Sequence, residues 1–276
     1  MASIRRPPAP ALRALVATLW SQDAPAPSAR PAAAPAREHA LPTGATHIAL
    51  RIDGPPLLIF DNAADLRGHR LGHAVVGGAR TGYHVRDVSQ PTASVGAMLK
   101  PGAAGVLLGV PESALAGHHT PLEALVPASE VDALLERLHA AEGAAARLAV
   151  FEHWLASRAQ GRPTALHPGL VRSVRPGLHD ARVAEQVRAS GLSHRHYIAL
   201  FRQTTGLAPR EWLALQRFGH ALKLAADTPL GWADIAAASG FADQAHLANT
   251  FKAVSGFTPG EWRRRADPDT PRHVRC

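Results

Sequence analysis

Hydrophobic and polar positions change rhythm along this chain. Over 46–52, His47, Ala49 and Arg51 alternate with Ile48, Leu50 and Ile52, the period of a half-buried strand. Further short strands are predicted at 57–60, 74–76 and 94–99, separated by Asp53-Gly54-Pro55, Arg67-Gly68 and Gly77-Gly78. Short strands punctuated this way predict a small barrel or sandwich. After Pro101 the spacing turns helical, and helices are expected over 103–108, 129–141 and 144–159.

From 183 to 265 the helical pattern is written twice. Gly191-Leu192-Ser193, Tyr197, Leu200-Phe201-Arg202, Gly206-Leu207, Pro209 and Glu211-Trp212 form the first copy. Gly240-Phe241-Ala242, Leu247, Thr250-Phe251-Lys252, Gly256-Phe257, Pro259 and Glu261-Trp262 form the second. From the Phe onward the copies keep one offset, so the architecture is duplicated. Each copy reads as helix, Gly-containing turn, helix. Val183 and Val187 lie one turn apart before the stop at Ser190-Gly191, and Ser193 is a natural N-cap for the next helix. Tyr197, Leu200 and Phe201 make that helix's buried stripe and leave Arg195, Ala199 and Arg202 outward. In the second copy Asp243 is the cap, Leu247, Phe251 and Val254 face inward, and Ala245, Asn249 and Lys252 face outward. This is the helix-turn-helix pattern, whose second helix enters a major groove.

A connecting helix is predicted over 209–226, with Trp212, Leu215, Phe218, Leu222 and Ala225 on its apolar side. It would be about 27 Å long at 1.5 Å per residue. Two helices in successive major grooves sit about 34 Å apart, so a rigid spacer of this size suits them. Thr258-Pro259-Gly260-Glu261 is a capping box that starts a closing helix.

Charge changes the picture only by location. From Pro163 onward 15 Lys and Arg stand against 9 Asp and Glu, which places +6 of the chain's +8 in this half. Positive charge there supports phosphate contacts. The length of 276 residues suggests two domains, and the single cysteine, Cys276, rules out an internal disulfide. Arg5-Arg6 followed by the mostly apolar stretch 9–20 has the outline of a signal peptide, but Pro7, Pro8, Pro10 and Arg13 interrupt it. The stretch is better read as the first element of the N-terminal domain, with 24–36, rich in Pro and Ala, as a loop after it. No run approaches the ~20 apolar residues of a membrane span.

The double helix-turn-helix, with Ala236, Gly240-Phe241, Phe251-Lys252, Gly256-Phe257-Thr258-Pro259, Arg217 and Ala221-Leu222, closely resembles the DNA-binding domain of the AraC/XylS family of bacterial transcription regulators. Asp243-Gln244-Ala245-His246-Leu247 resembles a subgroup with an uncharacterised N-terminal domain. Leu41-Pro42-Thr43-Gly44, Val95-Gly96-Ala97 and 101–111 look like that domain. The resemblance implies an α+β chain with an N-terminal mostly-β barrel or sandwich, trailing helices and an all-α C-terminal domain. The expected boundaries are 1–160 for a sensor or dimerisation domain, 161–168 for a linker, 169–265 for the DNA-binding domain and 266–276 for a tail.

The expected DNA-contacting residues are Ser193, His194, Arg195, His196, Ala199 and Arg202 in the first copy. In the second they are Gln244, Ala245, His246, Asn249 and Lys252. Relatives often carry Arg where Ala199 stands, which leaves Arg195 as the first helix's candidate for a guanine. Double-stranded DNA is the expected partner, with a small-molecule effector at the N-terminal domain. RNA polymerase and a homodimer partner stay open, and no membrane and no cofactor are expected. A cytoplasmic, non-enzymatic protein fits this reading. Relatives that carry a catalytic or methyl-accepting domain need a nucleophilic cysteine, and Cys276 stands at the last position. The alternative is a DNA-tethered metal- or ligand-modifying enzyme, for which a metal site could use His69, His73, His84, His118 and His119. Gly68, Gly72 and Gly117 stand beside these histidines, so no stable helix presents them together.

Overall fold

The computed structural model describes residues 3–24, 36–60, 62, 64–175, 177, 181–267 and 270–276. Most of the loop expected at 24–36 lies outside the described residues. Ten short strands come first: β1 (Ser3–Arg6), β2 (Val16–Gln22), β3 (Arg37–Ala40), β4 (His47–Asp53), β5 (Leu58–Phe60), β6 (His69–Arg70), β7 (Ala74–Gly77), β8 (His84–Asp87), β9 (Ala93–Leu99) and β10 (His119–Pro121). Four helices accompany them: α1 (Ala103–Leu107), α2 (Glu112–Leu115), α3 (Ala128–Ala140) and α4 (Gly143–Ala159). The C-terminal helices are α5 (Pro168–Val171), α6 (Val183–Ser190), α7 (His194–Thr205), α8 (Pro209–Asp227), α9 (Trp232–Ala238), α10 (Gln244–Ser255) and α11 (Pro259–Arg265). A last strand, β11 (His273–Arg275), follows them.

The strands form two antiparallel sheets and no closed barrel. One sheet has the order β1-β2-β9-β4-β7-β10, the other β11-β3-β8-β5-β6. Alternation decides which face of the first sheet is apolar. Ile48, Leu50 and Ile52 of β4 join Leu19, Val76, Val95 and Leu99 in a core closed by Leu134 and Leu138 of α3 and Leu148, Phe151 and Trp154 of α4. Each large side chain buried there contributes roughly 1.5–3 kcal/mol. The Trp154 indole N–H donates to Glu130 at 2.7 Å, fixing α4 on α3. The opposite face of the sheet carries Thr18, Trp20, His47 and Arg51, all half-buried, and looks toward the second sheet. The two sheets meet where the His84 ring lies edge-on to His119 at 4.6 Å.

Two sequence expectations need correction. The stretch 9–20 is not one element: Pro10 opens a single 3-10 turn, Pro10–Leu12, and β2 begins at Val16. The residues after α11, expected as a tail, return to the N-terminal half. Val274 is fully buried, and β11 pairs with β3 through Val274 opposite His39. Among the described residues, no group of three or more His, Cys, Asp or Glu is placed to hold a metal, and no helix is long and apolar enough to cross a membrane.

Three histidines between the sheets are held neutral. Burial, then the charge of Arg272, pushes His47 down to about 4. Burial and the proximity of His119 and Arg80 push His84 to about 2. Burial and Arg80 push His119 to about 3, and its Nδ1 accepts a hydrogen bond from Arg80 at 2.9 Å. The unfolded chain takes up these protons near pH ~6.5 and the folded chain does not. Stability is therefore full above pH ~6.5 and is lost as the pH falls toward the folded values. The Tm of the full chain is expected to drop between about pH 7 and pH 5, less steeply in His119→Gln. A Tm flat across that interval would show that these rings are not held neutral.

Candidate nucleic-acid interface

Each helix-turn-helix is built by the same local chemistry. α6 stops at Gly191, whose φ of +68° only glycine adopts freely. The Ser193 hydroxyl then accepts from the His196 N–H at 3.3 Å and starts α7. Tyr197 and Phe201 are fully buried, and the Tyr197 hydroxyl donates to Gln186 at 2.8 Å, tying α7 to α6. In the second copy the Asp243 carboxylate accepts from the His246 N–H at 2.7 Å, and Leu247, Phe251 and Val254 are buried.

The outward faces are polar. His194, Arg195, His196, Ala199 and Arg202 are exposed on α7, as are Gln244, Ala245, His246, Asn249 and Lys252 on α10. Two of the candidate residues already have structural duties. Ser193 is the cap of α7, and the His246 ring stands edge-on to Phe241 at 5.3 Å.

The duplication extends to the helix ends. The Thr205 hydroxyl lies 2.9 and 3.1 Å from the Phe201 and Leu207 carbonyls and accepts from the Leu207 N–H at 3.2 Å. Ser255 repeats this with Phe251 and Phe257 at 2.7 and 3.1 Å, and accepts from Phe257 at 3.1 Å. Gly206 and Gly256 end the two helices with φ of +78° and +79°. Glu211 and Glu261 each accept, at 2.7 Å, the N–H three residues earlier, opening α8 and α11 alike. Between the copies α8 runs for 19 residues, a rod about 28 Å long. Its apolar side, Trp212, Leu215, Phe218, Leu222 and Ala225, is buried throughout.

Sequence reasoning did not reveal what holds the far ends of α7 and α10. The Gly102 N–H donates to the Thr204 carbonyl at 2.8 Å, and the Tyr83 N–H donates to the Val254 carbonyl at 2.9 Å. Thr204 and Val254 are equivalent positions of the two copies. Both carbonyls lie in the last turn, where a helix has no partner of its own to offer. His39 donates from Nδ1 to the Ser255 carbonyl at 2.9 Å. Its ring is stacked on Tyr83 at 4.0 Å and on Phe257 at 4.5 Å. The approach requires glycine: a Cβ at position 256 would lie 2.7 Å from the Tyr83 ring, and one at 206 would lie 3.1 Å from the Glu112 carbonyl. Leu41, Ala79 and Val274 complete the apolar core of the C-terminal helices. Apolar Leu207 and Phe257 at matching positions were the available signal for this docking.

A family model described as a helix-turn-helix domain matches residues 186–265, and one for a domain of unknown function, DUF6597, matches residues 4–121. The HTH-type transcriptional regulator GlxA of Rhizobium meliloti (strain 1021) is 39% identical over 79 residues, 29% of this chain and 24% of that protein. The transcriptional activator NphR of Rhodococcus sp is 32% identical over 95 residues, 34% of this chain and 28% of that protein. The matched part thus spans about a quarter of the length of these relatives. Among solved structures, the DNA-binding domain of AdpA in complex with a target DNA is similar over 32% of this chain and 79% of its own, with 28% identity and a TM-score of 0.30. ToxT from Vibrio cholerae is similar over 96% of this chain and 98% of its own, with 10% identity and a TM-score of 0.45. The chain thus carries an AraC-type helix-turn-helix domain at 186–265 behind a DUF6597 domain at 4–121.

Proposed function

We propose that the protein is a sequence-specific, DNA-binding transcription regulator whose two reading helices enter successive major grooves of one duplex. The observation that carries this is the pair of exposed polar faces on α7 and α10, set on equivalent frames and joined by a rod. Similarity to relatives named as a transcriptional regulator and a transcriptional activator supports it. Both reading helices belong to one chain, so engaging two grooves does not require a homodimer.

Roles follow from side-chain chemistry. Arg195 is the donor suited to a guanine edge, and Gln244 and Asn249 match adenine's paired donor and acceptor. Ala199 offers a thymine methyl an apolar contact. Arg202 and Lys252, further along each helix, suit phosphate oxygens, which position without specifying. The N-terminal domain supplies control by a small ligand, and the protein acts by binding rather than catalysis, in the cytoplasm.

Asn249→Ala and Gln244→Ala are expected to relax base preference in one half of the site, each by about 1–3 kcal/mol of discrimination. Lys252→Ala should weaken all sequences alike and flatten the salt dependence by about one unit. Selection from a randomised DNA pool with each variant separates the roles. An unchanged motif for Asn249→Ala together with an altered one for Lys252→Ala would reverse the assignment.

The rod is tested separately. Leu222→Pro, on the buried side of α8, breaks the helix at a cost of about 3 kcal/mol or more. Footprinting is expected to show loss of simultaneous protection of two grooves. Retained protection of both, in a variant whose circular dichroism shows the helix broken, would mean α8 does not set the spacing.

A further inference from the structure

The rod α8 carries a glycine in its middle, and the reason lies in the residues after α11. Gly219 has ordinary helical backbone within the 19 residues of α8, where glycine destabilises a helix relative to alanine. Its conformational freedom goes unused, so its missing side chain is what the position requires. A Cβ at 219 would lie 3.0 Å from Arg272 Nη2. The other arm of that guanidinium, Nη1, donates to the Pro42 carbonyl at 2.5 Å. One side chain therefore lies between the rod of the DNA-binding helices and the loop that follows β3.

The backbone around Arg272 holds it there. Its carbonyl accepts from the Leu41 N–H at 2.8 Å, continuing the ladder in which His273, Val274 and Arg275 stand opposite Ala40, His39 and Glu38. At the far end of that ladder the Cys276 N–H donates to the Arg37 carbonyl at 2.9 Å. Just before Arg272, the Pro271 carbonyl accepts the Trp262 indole N–H at 3.0 Å, which ties this stretch to α11. Leu41 and Val274 are buried in one core with Leu215, Phe218 and Leu222 of the rod. Gly44 lets the loop close on α8, since a Cβ there would lie 3.3 Å from Leu215 Cδ1. Burial, then the charge of Arg5, pulls the Arg272 pKa down to about 10, so the guanidinium still donates at neutral pH. A cation partly withdrawn from water is held only where its N–H groups find acceptors. The Pro42 carbonyl supplies one, and leaving it would cost Arg272 that bond.

We propose that Arg272 is a positioning residue that clamps the rod α8, at Gly219, to the loop 41–44 of the N-terminal domain, so that the two reading helices keep one spacing. The proposal rests on the reading of α7 and α10 as DNA-binding helices and names what fixes their relation. α7 is held at Thr204 by Gly102 and α10 at Val254 by Tyr83. The clamp adds a third point of attachment, on the rod between them. With three points held by one domain, the rod cannot turn or bend without breaking at least one of them. One base pair added between two half-sites moves the second about 3.4 Å along the duplex and about 35° around it. A clamped pair of helices fits one such arrangement and resists the next, whereas an unclamped pair follows the DNA.

Two measurements on the full chain test the clamp and its consequence. The first is made without DNA. Alanine in place of a helical glycine ordinarily raises stability, but Gly219→Ala is expected to lower the Tm while Arg272 is present and to raise it in the Arg272→Ala background. A shift of the same sign in both backgrounds would overturn the contact. The second compares binding to the duplex that the wild-type chain selects from a randomised pool with binding to the same duplex carrying one extra base pair between its halves. Arg272→Ala should cut the preference for the selected duplex about tenfold, the worth of one charge-assisted hydrogen bond. Arg272→Lys, which keeps a charged donor, should restore most of it. Should Arg272→Ala fail to fold, Gly219→Ala supplies the same readout from the rod's side and should also reduce the preference. An unchanged preference in the folded variants would overturn the positioning role while DNA binding stands. Selection of no duplex at all by the wild-type chain would overturn the DNA-binding reading, and the positioning role with it, whatever the Tm values show of the contact.

Discussion

The last carbonyls of an α-helix have no partner within the helix, and something outside must satisfy them. In this chain both reading helices hand equivalent carbonyls, Thr204 and Val254, to backbone N–H groups of the N-terminal domain. A neutral backbone hydrogen bond contributes only about 0.5–1.5 kcal/mol net. Its geometric demand is larger than its energy, because donor and acceptor must meet within a few tenths of an ångström. Two such bonds, at the ends of two helices joined by one rod, fix orientation. The N-terminal domain therefore bears on the relation between the helices as well as on each alone.

How much of this was legible follows from which forces leave a local trace. Caps, glycine stops and the apolar stripe of each helix are short-range, and Ser193, Asp243, Gly191, Tyr197, Phe201 and Phe251 behave as their spacing predicts. The strongly alternating β4 and the apolar β9 were equally readable. β3 and β8 were not, because Arg37-Glu38-His39-Ala40 and His84-Val85-Arg86-Asp87 mix charge on both faces. Glu38, His84 and Arg86 share one face of this strand pair, and His39 on the other reaches Ser255 of α10, so neither face shows the usual polar-out pattern. β11 was invisible for a different reason: a three-residue strand has no period to detect, and its pairing with β3 is separated from it by more than 230 positions.

The same non-local logic explains Glu112. It is almost fully buried, and burial raises its pKa; the hydrogen bonds from Thr46 and from the Ala104 N–H oppose the rise. An unpaired buried carboxyl is costly unless its oxygens are hydrogen-bonded. Thr46 at 2.5 Å and the Ala104 N–H at 3.0 Å occupy one oxygen each. These bonds tie the start of β4 to α1, immediately behind the point where Gly206 rests on the Glu112 carbonyl. The carboxyl thus stiffens the platform beneath the first reading helix, as the stacked rings of His39 and Tyr83 form the platform beneath the second. One platform is polar and hydrogen-bonded, the other aromatic, though the helix ends they support are copies.

That difference bears on how control can reach DNA. A regulator that covered its reading faces would have to release them entirely, and here those faces are exposed with the N-terminal domain docked. The grip is on the opposite ends, so a change in it tilts a helix rather than uncovering it. A rod of about 28 Å must present two helices to grooves about 34 Å apart, a match that side-chain reach and small tilts complete. The aromatic platform under α10 belongs to the second sheet, whereas Gly102 and Glu112 under α7 lie at α1 and α2, outside both sheets. A displacement of the second sheet would therefore bear on the second helix and leave the support of the first in place. Because duplex spacing is fixed, moving one helix of a rigid pair is enough to change whether both grooves can be filled at once.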